Sequence, residues 1–201
     1  MWNQYFTPNN LSEALYLLDQ YKDDAHIIGG GTDLVLDFLS NNYSEVETVI
    51  DISSIPELKN IALENDVVSI GAAVTLSEAL GSDLLYSHAK VLLDSIRKIA
   101  GPQIRNIATI GGNVVNASPA ADTVPSLLVL DSKVSITSLR GTSREIPLNE
   151  FLLGNRKVDL RTGEIVTGFS FQKLDPATRY CFRKVQSRRS MAIAILNLAI
   201  L

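Results

Sequence analysis

The sequence predicts an α+β fold in two layers: a small parallel βαβ unit, then a larger, mostly antiparallel sheet with helices. Over residues 25–52 a short apolar run, a helical pattern and a second apolar run follow one another, which is the order of a parallel unit. After Pro56 the apolar runs are joined by short polar turns, as in hairpins. The change of pattern places the join between the layers near residues 53–60.

The first layer begins with a helix over residues 11–18, because apolar residues recur there at helical spacing after Asn10. A short strand over 25–28 ends at three consecutive glycines. Thr32 or Asp33 is the predicted N-cap of a second helix, since short polar side chains accept hydrogen bonds from the first free amides of a helix. A second buried strand is predicted over residues 48–52.

The second layer is predicted from turn signals and periodicity. An Asn65-Asp66 turn favours one hairpin, and Arg140-Gly141 favours another. The predicted strands of this layer cover residues 61–63, 67–71, 134–137, 144–146, 164–171 and 180–185. The predicted helices cover residues 76–80, 89–99 and 120–130.

Composition excludes several classes of function. The chain has 201 residues, 46% of them hydrophobic, and a formal net charge of −4 without a long basic run, so a nucleic-acid-binding role is not expected. The single cysteine, Cys181, cannot form an internal disulfide or hold an iron–sulfur cluster. His26 and His88 lie far apart in the sequence, so a metal site would require tertiary proximity, and none is predicted.

The amino-terminal residues lack the basic and apolar regions of a signal peptide. No apolar run approaches the roughly 20 residues that cross a bilayer. We therefore expect a cytoplasmic protein without a membrane span.

Two glycine-rich turns, at residues 27–33 and 109–113, carry most of the functional information. Glycine lets a backbone approach a ligand closely, and consecutive amides in one concavity bind phosphates. Two such turns suggest a pyrophosphate held from both sides. Each could instead be a tight turn or a strand bulge. Residues 29–34 read GGGTDL, which fits neither the Rossmann nor the P-loop pattern.

Around these turns the chain resembles a known family. The matching stretches are residues 29–34, residues 104–122 with the order Arg-Asn, Thr-x-Gly-Gly-Asn, Ala-Ser-Pro and Asp, and residues 184–189 with Lys-x-x-Ser-Arg-Arg. They resemble the FAD-binding (medium) subunit of the molybdenum hydroxylases, of the xanthine dehydrogenase and carbon monoxide dehydrogenase type. The resemblance runs from Tyr5 onward.

This resemblance implies a PCMH-type FAD-binding fold of two subdomains with FAD in the cleft between them. The implied cofactor-binding residues are Ile28, Gly29, Gly30, Gly31, Thr32, Asp33, Leu34, Thr109, Gly111, Gly112, Asn113, Asp122 and Lys184. The glycine turns would hold the diphosphate, Asp122 would accept hydrogen bonds from hydroxyls of FAD, and Lys184 would lie near the flavin ring. Asp33 and Asp122 could instead cap helices, and Lys184 could be a surface residue. No catalytic residue and no metal ligand is predicted.

The resemblance also implies an electron-transfer subunit. Its partners would be a molybdopterin-binding large subunit and a 2Fe-2S small subunit, and the final electron acceptor would be NAD or another molecule. Two alternatives stay open from the residues alone: a self-contained flavin oxidoreductase and a non-catalytic assembly subunit. The substrate belongs to another subunit and is not encoded here.

The implied domain division is residues 1–57, residues 58–176 and residues 177–201. The last region is expected to be the start of a truncated C-terminal domain, because the family continues where this chain stops. The apolar run at residues 193–201 has the composition of a strand that pairs with further chain or with a partner.

Overall fold

The computed structural model describes residues 2–40, 48–139, 141–188 and 192–201. The helices are α1 Leu11–Tyr21, α2 Leu34–Leu39, α3 Leu76–Leu80, α4 Asp83–His88, α5 Lys90–Ile96, α6 Pro102–Arg105, α7 Ile110–Val115, α8 Thr123–Val129 and α9 Leu148–Phe151. The strands are β1 Gln4–Phe6, β2 Ala25–Ile28, β3 Thr48–Asp51, β4 Ile61–Glu64, β5 Val67–Gly71, β6 Lys133–Ser138, β7 Ser143–Pro147, β8 Leu152–Gly154, β9 Lys157–Val158, β10 Glu164–Gln172, β11 Cys181–Gln186 and β12 Ala194–Ile200.

The first layer is a three-stranded parallel sheet in the order β1-β3-β2, in which β2, α2 and the central strand β3 form the predicted βαβ unit. Asn10 caps α1 by accepting a hydrogen bond from the Glu13 amide at 2.8 Å. The buried face of α1 then packs on β3, where Ile50 is fully buried. The edge strand β1 was not predicted, because three residues carry too little periodicity to register as a strand.

The second layer is a five-stranded antiparallel sheet in the order β4-β5-β10-β6-β7. The predicted Asn65-Asp66 turn joins β4 to β5, and both residues have the positive φ that a tight hairpin needs. The β6–β7 hairpin turns at Gly141, while its predicted partner Arg140 lies outside the described residues. These features confirm the predicted fold class.

The main hydrophobic core lies between the second sheet and the helices that cover it. Phe151 and Phe169 are its largest fully buried side chains, and α5 contributes Leu92, Leu93 and Ile96. A second cluster lies under the first sheet and includes Ala73 and Ile165 from the second layer. The two layers therefore share buried apolar surface.

Two predicted helices are shorter in the structure. The helix predicted over residues 89–99 is α5 alone, with Ala89 as its N-cap residue. The helix predicted over 120–130 begins only at Thr123, which places Pro125 in the first turn, where its missing amide removes no helical hydrogen bond. The longest described helix, α1, has 11 residues, and no described helix combines the length and apolar character of a membrane crossing.

Beyond the second sheet, β11 and β12 form an antiparallel hairpin that packs on α5 and α8. Phe182 fills the inner face of this hairpin and is buried in the main core. The other face is exposed: Leu196 is 60% and Leu198 48% accessible. The strand predicted over residues 180–185 corresponds to β11, and the apolar run at the end of the chain corresponds to β12.

Candidate functional site: a cleft between two glycine segments

Two glycine segments line a single cleft of about 280 Å³. We call residues 29–33 the first glycine segment and residues 109–113 the second glycine segment. The cleft is lined by Ile27, Ile28, Gly29, Gly30, Gly31, Thr32, Asp33, Leu34, Asp37, Ala108, Thr109, Gly112, Asn113, Val115, Asn116 and Arg156. Gly111 lies in an adjoining slot of about 90 Å³, which Gly29, Thr109 and Gly112 also line.

The first glycine segment connects β2 to α2. Ile28 ends the strand and accepts a hydrogen bond from the Ile52 amide at 2.9 Å, which fixes the starting point of the turn. Gly31 has φ +67°, a left-handed conformation that favours glycine. Asp33 is the N-cap residue of α2, as predicted, but its side chain makes no capping hydrogen bond.

Glycine is also needed where the two segments touch. A Cβ atom on Gly30 would lie 1.9 Å from the carbonyl oxygen of Ile107. A Cβ atom on Gly29 would lie 2.8 Å from Oγ1 of Thr109. The missing side chains therefore let the first segment pack directly on the backbone that leads into the second.

The amides of the first glycine segment are open to a ligand. Within the described chain, no backbone amide from Gly29 to Asp33 donates to another residue. Five consecutive donors beside a cleft form the kind of concavity that binds an oxyanion. Their burial without a partner would be costly, so water or a ligand has to satisfy them.

The second glycine segment differs from its prediction as a turn, because it forms the start of α7. Its amides are already paired. Ile110 donates to the Val74 carbonyl and Gly111 to the Ala72 carbonyl, each at 2.9 Å, while Asn113 donates to the Thr109 carbonyl at 3.0 Å. This segment therefore gives the cleft its wall rather than a second row of free amides.

The polar groups that the second segment offers are side chains. The Thr109 hydroxyl caps α7 by accepting a hydrogen bond from the Gly112 amide at 3.0 Å, so its own hydrogen is available to a ligand. The Asn113 side-chain oxygen accepts a hydrogen bond from the Thr123 hydroxyl at 2.5 Å. This contact fixes the side chain and leaves the Asn113 amide group as a donor.

Arg156 is a cleft residue that sequence reasoning missed. It lies in the turn between β8 and β9, and its amide donates to the Ala117 carbonyl at 2.9 Å. Its Nη1 atom donates to Asp37 at 2.9 Å and to Asn116 at 3.0 Å. No pattern in the sequence indicates this placement, because it depends on contacts 119 and 40 residues away.

Asp122 and Lys184 come together, but they do not line the cleft. They form an ion pair at 2.6 Å in which the side chains are 9% and 3% exposed. Asn197 donates to the other oxygen of Asp122 at 2.8 Å, and Lys184 also donates to the Lys98 carbonyl at 3.2 Å. Asp122 is the N-cap residue of α8 without a capping side-chain bond. The roles of Asp122 and Lys184 toward FAD stay predictions.

A second charged network borders the adjoining slot, which Glu164 lines together with apolar residues. Arg144 donates to both oxygens of Glu164, at 3.0 and 2.8 Å, and to Asp159 at 2.7 Å. Burial would raise the pKa of Glu164, but the hydrogen bonds from Arg144 and from the Arg161 amide outweigh it and lower the pKa. Glu164 is therefore a fixed carboxylate rather than a proton donor at neutral pH.

The described residues contain no cluster of three or more His, Cys, Asp or Glu side chains that could hold a metal ion. The donors that the cleft does offer are free amides, two hydroxyls, two carboxamides and a guanidinium. This set suits an anionic ligand of the diphosphate kind. The residues present therefore fit a dinucleotide cofactor whose diphosphate lies against the first glycine segment.

Comparison with known proteins decides which cofactor this is. The family described as the FAD binding domain in molybdopterin dehydrogenase matches residues 2–171. The chain belongs to this family. The resemblance read from the glycine segments is thereby confirmed, and FAD is the cofactor of the family.

Among its relatives, the FAD subunit of nicotinate dehydrogenase from Eubacterium barkeri is 36% identical over 198 residues, which cover 96% of this chain and 66% of the relative. The FAD-binding subunit of xanthine dehydrogenase from Escherichia coli O157:H7 is 35% identical, over 83% of this chain and 56% of the relative. The chain thus spans between about half and two thirds of the length of these relatives. Both names describe subunits of dehydrogenases.

Solved structures agree with the family. A chain of the Cu,Mo-CO dehydrogenase in its cyanide-inactivated form matches with a TM-score of 0.94 at 26% identity, over 99% of this chain and 68% of the other. A chain of quinoline 2-oxidoreductase from Pseudomonas putida 86 matches with a TM-score of 0.89 at 25% identity, over 98% and 67%. The two-layer arrangement is therefore a fold that this chain shares with chains of these two enzymes.

Proposed function

We propose that this chain is an FAD-dependent oxidoreductase subunit that holds the diphosphate of FAD in the cleft between the two glycine segments. One observation carries the proposal: five consecutive amides of the first glycine segment have no partner in the described chain and line the cleft. The second glycine segment closes the opposite wall with the Thr109 hydroxyl and the Asn113 carboxamide. These groups bind and orient the cofactor, whose flavin would supply the redox chemistry.

In this proposal the chain passes electrons within a larger assembly. The partners are a molybdopterin-binding large subunit and a 2Fe-2S small subunit, and the acceptor is NAD or another molecule. The dehydrogenase names of the relatives support this assignment. A cytoplasmic location belongs to the same proposal.

The domain division is proposed in the same form: residues 1–57 and 58–176 enclose the cofactor, and residues 177–201 begin a further domain. Support comes from the β11–β12 hairpin, which pairs with neither of the two main sheets. Its outer face exposes Leu196 and Leu198, which a further domain would cover.

The test is FAD binding by the purified chain and by Gly112→Leu. A Cβ atom on Gly112, which lines the cleft, would lie 2.9 Å from Oγ1 of Thr109, so the Thr109 side chain has to shift. No other non-neighbouring atom of the described chain lies within 4 Å, so the rest of the leucine side chain has room beside the cleft. Leucine also has a higher helix propensity than glycine, which favours folding of α7. We expect the wild-type chain to retain flavin absorption after gel filtration and Gly112→Leu to lose it while its circular dichroism stays native.

The matched control is Gly81→Leu, at the end of α3, where a Cβ atom would have ordinary contacts of 3.6 Å or more. This variant should bind FAD as the wild type does. A folded wild-type chain that binds no added FAD would overturn the proposal. Anaerobic addition of NADH to the FAD-loaded chain tests the acceptor, because bleaching of the flavin bands is expected only if NAD can exchange electrons with it.

A further inference from the structure

We propose that Arg156 is a cofactor-binding residue that neutralises the diphosphate in the cleft. This inference rests on the proposed function and adds a residue that neither glycine motif contains. Among the residues that line the cleft, Arg156 is the one with a positive charge, whereas Asp33 and Asp37 are negative. A diphosphate brings two further negative charges into this cleft, so a cation within it has a large effect on affinity.

The Arg156 guanidinium has hydrogen-bond donors that its described contacts do not use. Its bonds to Asp37 and Asn116 both use Nη1, and in the described chain Nε and Nη2 donate to no other residue. A guanidinium has five N–H donors in a planar fork, so three remain for phosphate oxygens. Arg156 can therefore bind an anion without giving up its present contacts.

The position of Arg156 is fixed by its surroundings. Asp37 belongs to α2, which follows the first glycine segment, and Asn116 is the C-cap residue of α7, which contains the second. Arg156 thus bridges the two helices that the glycine segments lead into. Its backbone bond to the Ala117 carbonyl at 2.9 Å keeps the β8–β9 turn against the end of α7.

These contacts also allow a competing explanation of the role of Arg156, namely that it only links α2 to α7 and does not bind the cofactor. The two roles predict opposite effects for Asp37→Asn. This variant weakens the link, but it leaves the cation in place and removes a negative charge from the cleft. If Arg156 binds the diphosphate, Asp37→Asn should bind FAD as well as the wild type or more tightly. If Arg156 is only a link, Asp37→Asn should weaken binding as Arg156→Gln does.

The experiment measures the Kd of FAD by flavin fluorescence, and that of ADP by competition, for the full chain and three variants. Arg156→Gln should weaken both ligands by about 10- to 100-fold, the usual effect of one charge-assisted hydrogen-bonding group. Its Kd should also depend less on salt concentration than that of the wild type, because one ion contact is lost. Asp37→Asn should bind at least as tightly as the wild type.

Lys157→Gln is the matched control. It removes one positive charge from the residue that follows Arg156, and Lys157 is exposed and does not line the cleft. Its Kd should equal that of the wild type. Equal affinities of Arg156→Gln and the wild type, or a parallel loss in Arg156→Gln and Asp37→Asn, would overturn the inference and leave the proposed function intact. Absence of FAD binding by the folded wild-type chain would overturn both.

Discussion

At the scale of single residues, Gly30 shows how the absence of a side chain builds the site. Its nearest neighbour is the Ile107 backbone, which cannot move aside as a flexible side chain would. Gly30→Ala forces the two glycine segments apart or strains both. We expect a loss of about 1–3 kcal/mol in the free energy of unfolding, the usual range for an overpacked site. Urea denaturation measures it.

Gly81→Ala is the companion variant for this prediction. Gly81 has φ −85°, which alanine adopts without strain, and its nearest neighbours would lie 3.6 Å or more from a new Cβ atom. This variant should gain about 0.4–1 kcal/mol by restricting the unfolded chain. Equal stability changes in the two variants would contradict the close approach at Gly30.

The residues of the first glycine segment could be predicted because their signal is local. A strand, three glycines and a capping residue follow one another in the sequence, and the structure keeps that order at Ile28, Gly31 and Asp33. The placement of Arg156 could not be predicted, since nothing near it in sequence indicates Asp37. Features set by neighbouring residues can be predicted from a single sequence. Contacts between side chains that are distant in the sequence cannot.

At the scale of elements, α7 is the clearest difference between expectation and structure. Two adjacent glycines in six residues argue against a helix, because glycine costs about 1 kcal/mol relative to alanine. Tertiary contacts reverse this preference: the Ile110 and Gly111 amides donate to the carbonyls of Val74 and Ala72. Gly111 also needs to be glycine here, because a Cβ atom would lie 2.6 Å from the Ala72 carbonyl oxygen.

Besides the buried side chain of Phe182, the ion pair of Lys184 and Asp122 attaches the β11–β12 hairpin to the rest of the fold. Lys184→Met removes the cation and leaves a buried carboxylate with Asn197 as its remaining described partner. Breaking one side of such a pair costs about 3–5 kcal/mol. We expect a loss of this order in denaturant unfolding at neutral pH.

The double variant Lys184→Met with Asp122→Leu separates charge burial from packing. Replacing both ions by apolar side chains removes the unpaired charge, and such replacements are often neutral. The double variant should therefore be more stable than Lys184→Met alone. A further loss on adding Asp122→Leu would show that the cost of Lys184→Met does not come from an uncompensated carboxylate.

At the scale of the whole molecule, the cleft lies where the two layers meet. Its first wall, including Ile28, comes from the parallel layer, and its second wall follows Thr109 from the antiparallel layer. The sequence predicts both layers and their order, because each is built from neighbouring segments. The resemblance implies a cleft between them, but the local patterns do not give the distance between its walls, which depends on contacts such as Gly30 against Ile107.

FAD bound between the two layers should suppress local opening more strongly in the parallel layer than in the antiparallel layer. FAD that binds only the folded chain raises its unfolding free energy by RT ln(1 + [L]/Kd), about 2.7 kcal/mol at 100 times Kd. The first glycine segment has unpaired amides and the parallel layer has three short strands, so local opening should be easiest there. We expect FAD to slow hydrogen exchange most strongly in residues 25–34 and only weakly in the β6–β7 hairpin. Equal slowing in both regions would mean that the chain opens globally before its amides exchange, and that the parallel layer has no separate opening for the cofactor to suppress.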